Sequence, residues 1–115
     1  MKSYFEKNNI TLYNQNSFEV LDLLIKKNKK FDMIFADPPY FLSNDGITCV
    51  NGKMVKVNKG DWDKSNGIDQ NYQFTFDWME KCQSLLSDSG TLWVSGTFHI
   101  IYAVGFAAQK LDMKF

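Results

Sequence analysis

Apolar residues in the first third of the chain recur at two different spacings, which predict strands and a helix in alternation. A short β-prone run flanked by asparagines predicts a strand over residues 9–14. Helical spacing follows through residues 16–30, where Asn16 can cap the helix and Glu19 can complete a capping box. A run that is apolar at nearly every position predicts a strand over residues 31–36, covered on both faces. The order strand, helix, strand indicates a βαβ unit and a parallel sheet.

Residues 41–69 break this alternation. They are polar, rich in glycine, asparagine and aspartate, and they show no clear period. The pattern predicts a long loop, and a loop of this length within a small domain is usually functional. Residues 51–57 begin with Asn51 and Gly52, a pair that favours a tight turn, so we expect a small flap there.

Regular periodicity returns after the loop. Residues 72–86 predict a helix, and Gly90 is expected to end it as a left-handed cap. Residues 91–95 then predict a strand, and residues 98–111 predict another helix. The apolar stripe of the first of these helices consists of Trp78, Met79, Cys82, Leu85 and Leu86. The whole pattern predicts an α/β fold in one unit that spans residues 1–115.

Composition and charge give no clear indication of a partner. The 115 residues suit one small domain, and 44% hydrophobic residues with 16% aromatic residues are typical of a globular protein. The sum of Lys and Arg is 13 and equals the sum of Asp and Glu, so the formal net charge is zero. Four lysines close the first predicted helix, and they form either a solvated helix end or a nucleic-acid patch. These are Lys26, Lys27, Lys29 and Lys30.

Cysteine and histidine are too few and too scattered for a familiar metal site. Cys49 and Cys82 are far apart, and His99 is the single histidine, so we predict no metal and two reduced thiols. The first residues lack the apolar core of a signal peptide, and no apolar run reaches membrane-spanning length. We therefore expect a soluble, cytoplasmic protein.

The stretch "FDMIFADPPYFLSND" carries the strongest chemical signal. Ligands bind at the carboxyl ends of strands in open parallel sheets, and this strand ends directly before Asp37. Asp37 offers two acceptor oxygens, and two prolines without N–H groups leave the Pro38 carbonyl as a second acceptor. Tyr40 adds a flat aromatic face. This set suits a planar guest with an exocyclic amine, such as a base flipped out of a nucleic acid. The alternative is an ordinary proline turn.

Two further positions allow both a functional and a structural interpretation. His99 opens the last predicted helix near Ser95 and Thr97, at another strand end, and it serves either the site or the helix cap. Trp62, in "GDWDK", is interpreted as a buried anchor of the long loop.

"ADPPYFLS" resembles the catalytic motif of DNA amino-methyltransferases. Aspartate in the first position, Asp37, is similar to the adenine-N6 enzymes, whereas the cytosine-N4 enzymes usually have serine there. "KGDWDK" at 59–64 and "SGTLWVSGTFHIIYAVG" at 89–105 resemble the following blocks of the β-class enzymes. The likeness extends over residues 10–112 and is nearest to the enzymes of GATC-type restriction systems, one of which accepts single-stranded DNA.

The resemblance implies a partial Rossmann-like sheet of an S-adenosylmethionine-dependent methyltransferase with flanking helices. It implies methyl transfer from S-adenosylmethionine to adenine N6 of DNA in a restriction–modification system. The implied catalytic residues are Asp37, Pro38, Pro39 and Tyr40. The implied cofactor-binding residues are Asn16, Asp37 and Ser95. The implied DNA contacts are Tyr40, Lys53, Lys56 and Lys59, in the DNA-facing loop 41–69, although solvated loop lysines are the alternative.

The chain also departs from the family's pattern. Relatives hold the methyl donor with a glycine-rich "FxGxG" segment that is absent here, and they commonly have aspartate where Asn16 stands. In the family's strand order, two strands from the carboxyl-terminal half lie between strands 9–14 and 31–36. Without them we expect unpaired edges and exposed apolar faces. The chain is therefore interpreted as the amino-terminal catalytic half of an enzyme that needs a carboxyl-terminal half or second chain. The alternative is a non-catalytic remnant or nucleic-acid-binding module.

Overall fold

The chain forms a mixed α/β fold, which confirms the predicted class. The computed structural model describes residues 1–42, 47–50, 53–56 and 60–115, with backbone alone for 47–50 and 53–56. The strands are β1 (Phe5–Lys7), β2 (Ile10–Leu12), β3 (Phe31–Ala36), β4 (Ile47–Val50), β5 (Lys53–Lys56) and β6 (Leu86–Val94). The helices are α1 (Ser17–Lys26), α2 (Ile68–Leu85) and α3 (Phe98–Lys110), and a 3-10 turn covers Asp61–Asp63. No helix in the described ranges is both long and apolar enough to cross a membrane.

The parallel pair β3–β6 organises the fold, and its parallel direction agrees with the predicted parallel sheet. One face of the pair packs against a core formed by α2 and α3. The inward residues are Ile34, Ala36, Leu92 and Val94. The other face leaves large side chains exposed at Phe31, Met33, Phe35 and Trp93. The prediction that residues 31–36 are covered on both faces is therefore wrong for the described residues, because their helices cover only one face.

The predicted first strand has a different partner from the one expected. β2 pairs antiparallel with β1, and Asn8 and Asn9 make the connecting turn with φ values of 52° and 64°. Asparagine tolerates this left-handed conformation, which suits a tight hairpin turn. In the described ranges β2 does not pair with β3, which agrees with the family's strand order, and residues 9 to 36 form no βαβ unit of paired strands. The crossover between parallel strands instead runs from β3 to β6 and includes α2.

The helices follow their apolar patterns closely. Asn16 caps α1, as predicted, and its Oδ1 accepts a hydrogen bond from the Phe18 N–H at 2.9 Å. The helix ends at Lys26, before the predicted end at residue 30, and the chain turns at Asn28 with φ 56°. The main core joins α2 to α3, with Phe18 and Leu21 of α1 packed against it. Its buried residues are Trp78, Met79, Cys82, Ile100, Val104, Ala107 and Ala108.

The predicted loop 41–69 contains more regular structure than its composition indicates. β4 and β5 form an antiparallel hairpin in which Val50 pairs with Lys53, so the connection lies at the predicted turn. Asn51 and Gly52 themselves lie outside the described residues. The 3-10 turn follows, and α2 begins at Ile68, earlier than predicted. The loop prediction is therefore only partly right.

Gly90 is not a helix cap. α2 ends at Leu85, and Leu86 continues in extended conformation into β6. Gly90 instead lies within β6, at an irregular part of its parallel register with β3, between the Phe31 and Met33 pairings. A Cβ atom added at Gly90 would stand 2.9 Å from the Phe31 carbonyl oxygen. The glycine is thus required by a close backbone approach rather than by a left-handed φ.

Replacing Gly90 with alanine should lower the free energy of unfolding by about 1–3 kcal/mol, because the new methyl group forces two backbones apart. Gly105 in α3 is the matched control, since a Cβ there meets nothing within 4 Å. Gly105→Ala should stabilise the chain by up to about 1 kcal/mol, because alanine has the higher helix propensity. Urea unfolding measures both changes, and equal effects of the two substitutions would contradict the assigned role of Gly90.

Candidate functional site

The carboxyl ends of β3 and β6 lie side by side, and this brings Asp37 and Ser95 together. The Ser95 N–H donates to the Ala36 carbonyl at 3.0 Å and so continues the ladder one step beyond the strands. The Ser95 hydroxyl lies 2.5 Å from Asp37 Oδ1 and donates to it. Two residues that are 58 positions apart in the sequence therefore share one corner of the sheet.

Tyr40 completes this corner through its hydroxyl group. Its Oη lies 2.7 Å from Asp37 Oδ1 and 2.9 Å from Ser95 Oγ. The two hydroxyls carry one proton each, so they either both donate to Asp37 or form a chain from Tyr40 through Ser95 to Asp37. In both arrangements the Asp37 carboxylate acts as the final acceptor.

These hydrogen bonds favour the ionised form of Asp37. The hydroxyl of Ser95 lowers the pKa of the Asp37 carboxyl from its usual value, and that of Tyr40 lowers it further, against a smaller desolvation effect. Hydrogen bonds to a carboxylate favour its charged form, which explains the direction. Asp37 is therefore an acceptor at neutral pH, and it is too weak a base to hold a proton there.

The Pro38 carbonyl provides the second acceptor at this corner. Pro38 and Pro39 have no N–H groups, and none of the described residues donates a hydrogen bond to the Pro38 carbonyl. The predicted combination of a carboxylate with a rigid, available carbonyl is thus present in the described part of the chain. Tyr40 is half-buried, and its ring packs partly against the helical core.

Asp63 holds the segment that follows the prolines, and the sequence reasoning missed it. Its carboxylate is 1% exposed and accepts from the N–H groups of Tyr40 at 3.0 Å, Phe41 at 2.9 Å and Leu42 at 3.1 Å. Phe41 has φ 56°, which is rare for a bulky residue and requires support from its surroundings. The Asp63 carboxylate gives that support by binding the amides on both sides of the turn.

Trp62 was predicted to be the buried anchor of this region, and that prediction is wrong. The Trp62 side chain is 64% exposed, whereas its neighbour Asp63 is buried. The 3-10 turn directs only one of these adjacent side chains inward, and the three amide donors favour the carboxylate there. Two aspartates flank Trp62 in "GDWDK", and the letters alone do not distinguish the buried Asp63 from the exposed Asp61.

A cavity of about 440 Å³ opens beside the corner, and Asp37, Pro38 and Pro39 form part of its wall. Trp78 also lines it, and its buried Nε1–H has no acceptor in the described part of the chain. The remaining wall is mainly apolar and comes from α1, β3 and α2. The cavity therefore offers the Asp37 carboxylate in a mainly apolar surrounding, with Gln15 and Ser17 as further polar wall residues, which suits a ligand with a cationic group.

The other predicted site residues lie in different places. Asn16 is exposed and its Oδ1 caps α1, while the adjacent Gln15 and Ser17 line the cavity. His99 is exposed, and its Nδ1 lies 3.0 Å from Thr97 Oγ1, which agrees with a local role at the start of α3. The side chains of Lys53 and Lys56, and all of Lys59, lie outside the described residues.

Comparisons with known proteins identify the family of the chain. Residues 31–115 match the model of a family described as DNA methylase. The chain is 43% identical over 113 residues to Type II methyltransferase M2.LlaDCHI of Lactococcus lactis subsp. cremoris. It is 42% identical over 113 residues to M2.DpnII of Streptococcus pneumoniae, and 41% identical over 116 residues to M2.MboI of Moraxella bovis.

These alignments cover nearly all of this chain but less than half of each relative. They include 98% to 99% of this chain but only 41% to 42% of each of the three relatives. The chain thus spans about two fifths of the length of the curated relatives it matches. The family match includes the whole of β3, the Asp37–Tyr40 corner, Asp63 and Ser95. On this match, the chain belongs to the DNA methylase family.

Proposed function

We propose that the chain is the amino-terminal catalytic part of a DNA methyltransferase that transfers a methyl group from S-adenosylmethionine to adenine N6. The observation that carries this proposal is the ionised Asp37 carboxylate beside the available Pro38 carbonyl at one sheet edge. The names of the relatives, all Type II methyltransferases, support a role in a restriction–modification system.

The corner provides what an exocyclic amine needs in order to react. The adenine N6 lone pair is delocalised into the ring, so the amine is a poor nucleophile. Hydrogen bonds from its two N–H groups to Asp37 and to the Pro38 carbonyl draw it toward tetrahedral geometry. The carboxylate also stabilises the positive charge that develops on N6 during transfer. Tyr40 stacks on the flipped base, and Ser95 orients Asp37.

The proposed reaction requires no proton transfer to Asp37 before the methyl transfer. Asp37 is already ionised, so it accepts a hydrogen bond and does not need to remove a proton before the transfer. The methylated ammonium product is strongly acidic and loses its proton readily to water. Asp37 therefore acts by position and charge, with Ser95 and Tyr40 keeping it anionic.

The cavity beside Asp37 fits the methyl donor chemically. The Asp37 carboxylate in the cavity wall suits the cationic centres of S-adenosylmethionine. When bound, the cofactor supplies an electrophilic methyl group. Asn16, Asp37 and Ser95 stay the proposed residues on the cofactor side. The proposal for Asn16 is supported by its neighbours Gln15 and Ser17, which line the cavity.

A carboxyl-terminal half or second chain is proposed to complete a Rossmann-like sheet. Among the described strands, β3 pairs on one edge only, with β6. The exposed Phe31, Met33, Phe35 and Trp93 form an apolar face that further protein would cover. The additional length of the relatives is consistent with such a part.

DNA is the proposed substrate, either double-stranded or single-stranded. The proposed location of an enzyme that acts on this substrate is the cytoplasm. The loop 41–69 is proposed to face the DNA, with Lys53, Lys56 and Lys59 as phosphate contacts. Tyr40 is the proposed contact to the target base itself.

The proposal is tested with a joined enzyme, defined as residues 1–115 followed by the carboxyl-terminal part of M2.LlaDCHI that the alignment leaves uncovered. Transfer of labelled methyl groups from S-adenosylmethionine to GATC-containing DNA is measured with single and double strands. We expect transfer by the joined enzyme and none by residues 1–115 alone. A joined enzyme that folds, as judged by a cooperative thermal transition, but transfers no methyl would favour a non-catalytic remnant or a nucleic-acid-binding module.

A further inference from the structure

We propose that Asp63 is a positioning residue for the base site, acting through the backbone of residues 40–42. This inference rests on the proposed function, because it assigns a role within the same reaction. Asp63 binds the backbone of the loop that carries Tyr40, and its effect on the reaction is exerted through that loop.

The Asp63 carboxylate accepts hydrogen bonds from three successive backbone amides. Oδ1 accepts from the N–H groups of Tyr40 and Phe41, and Oδ2 accepts from that of Leu42. Three successive amides that converge on one anion, with a left-handed residue among them, form an anion-binding nest. The two residues before Tyr40 are prolines without N–H groups, so these are the first amides available after Asp37.

Asp63 thereby fixes Tyr40 at its backbone, while Asp37 and Ser95 hold the same residue at its hydroxyl. Pro38 and Pro39 form a stiff link between these two points, since the proline rings restrict φ. A displacement of the Tyr40 amide is therefore transmitted to the Pro38 carbonyl and to the Tyr40 ring. Both are groups that the proposed reaction needs at fixed positions around N6.

A space-filling role does not explain a carboxylate at this position. Burial of a charged group is costly unless strong hydrogen bonds offset it, so an apolar side chain would fill the same volume at lower cost. Asp61, in the same 3-10 turn, shows the ordinary alternative: its side chain is 96% exposed and pairs with Lys64 at 3.2 Å. Asp61 is therefore the matched control for Asp63.

The test compares Asp63→Asn with Asp61→Asn in the joined enzyme. The asparagine amide would point its NH₂ group at a backbone N–H, because both carboxylate oxygens of Asp63 accept from amides. We expect the single-turnover methylation rate of Asp63→Asn to fall about 100-fold, the effect of misplacing a reacting group by about 1 Å. The DNA affinity of Asp63→Asn should change less than about 3-fold, and Asp61→Asn should keep the single-turnover rate of the parent.

Amide hydrogen exchange in the 115-residue chain supplies a readout that is independent of activity. Asp63→Asn should speed exchange at Tyr40, Phe41 and Leu42, and leave the amides of α2 and α3 protected as in Asp61→Asn. If exchange at these three amides is unchanged, the inference is overturned even where the joined enzyme proves inactive. An unchanged single-turnover rate would overturn it as well. Failure of the positioning role of Asp63 can therefore be distinguished from failure of the proposed methyltransferase function.

Should Asp63→Asn fail to fold, Asp63→Glu decides the matter, because it keeps the charge and moves the carboxylate by one methylene. A folded glutamate variant with at least about a 10-fold lower single-turnover rate and unchanged DNA affinity supports positioning. A folded glutamate variant with the parent rate overturns it.

Discussion

Replacing Asp37 with asparagine should lower the methyl-transfer rate of the joined enzyme by at least about 10²–10³-fold, the range expected when one preorganised electrostatic contact to a transition state is lost. The substitution keeps the size of the side chain and removes its charge. The introduced amide would still accept a hydrogen bond through its oxygen, but it would not stabilise the cationic N6. The rate under saturating DNA and cofactor measures the effect, because it separates chemistry from binding.

Asp32→Asn is the control for this prediction. Asp32 lies on β3, the strand that leads to Asp37, is exposed, and accepts from the Ser87 hydroxyl away from the corner. Its replacement should leave the rate unchanged. The parent enzyme should also keep its activity as the pH falls toward the ordinary carboxyl pKa, because the hydroxyls of Ser95 and Tyr40 lower the pKa of Asp37. An Asp37→Asn enzyme with the parent rate would remove Asp37 from the mechanism.

Replacing Met79 with alanine should lower the free energy of unfolding of the isolated chain by about 2–5 kcal/mol, the usual result of emptying a buried site. Met79 is 1% exposed and belongs to the core that joins α2 to α3. For a domain of this size, each 1 kcal/mol corresponds to a shift of about 4–8 °C in the melting temperature. The loss is therefore a large share of the stability that a small domain has.

Met33 provides the matched control, because it is the same residue type at 58% exposure on the open face of β3. Met33→Ala should change the free energy of unfolding of the isolated chain by less than about 1 kcal/mol. Calorimetry or urea titration of both variants checks the pair. Equal losses at the two positions would mean that the core is not centred on the α2–α3 contact.

The elements with strong periodicity were predictable from the sequence. The bounds of β3 agree with the predicted strand 31–36, and α3 covers all but the last residue of the predicted helix 98–111. The corner that begins at Asp37 was predictable too. Two prolines cannot continue the pairing of a strand, so the residues around them are available to face a ligand. Here local sequence and tertiary structure point to the same arrangement.

The remaining features depend on contacts between distant residues. Gly90 resembles a helix cap in sequence, and only the approach of the Phe31 carbonyl reveals its role. Asp61 and Asp63 are alike in their local sequence, and the amides after Pro39 select one of them for burial. The uncovered face of β3 was foreseen from the family's strand order, whereas its apolar pattern taken alone indicated the opposite.

The parallel pairing of β3 with β6 has a kinetic consequence. Asp37 and Ser95 are 58 residues apart in the sequence, so their contact requires the closure of a long loop that includes α2. Closure of such a loop costs entropy before any pairing compensates it, and folds with distant pairings form slowly. Helices such as α2 complete their turns much sooner. We therefore expect the carboxylate corner to assemble late in folding, and the pKa of Asp37 should lack the lowering effect of Ser95 in any intermediate without β6.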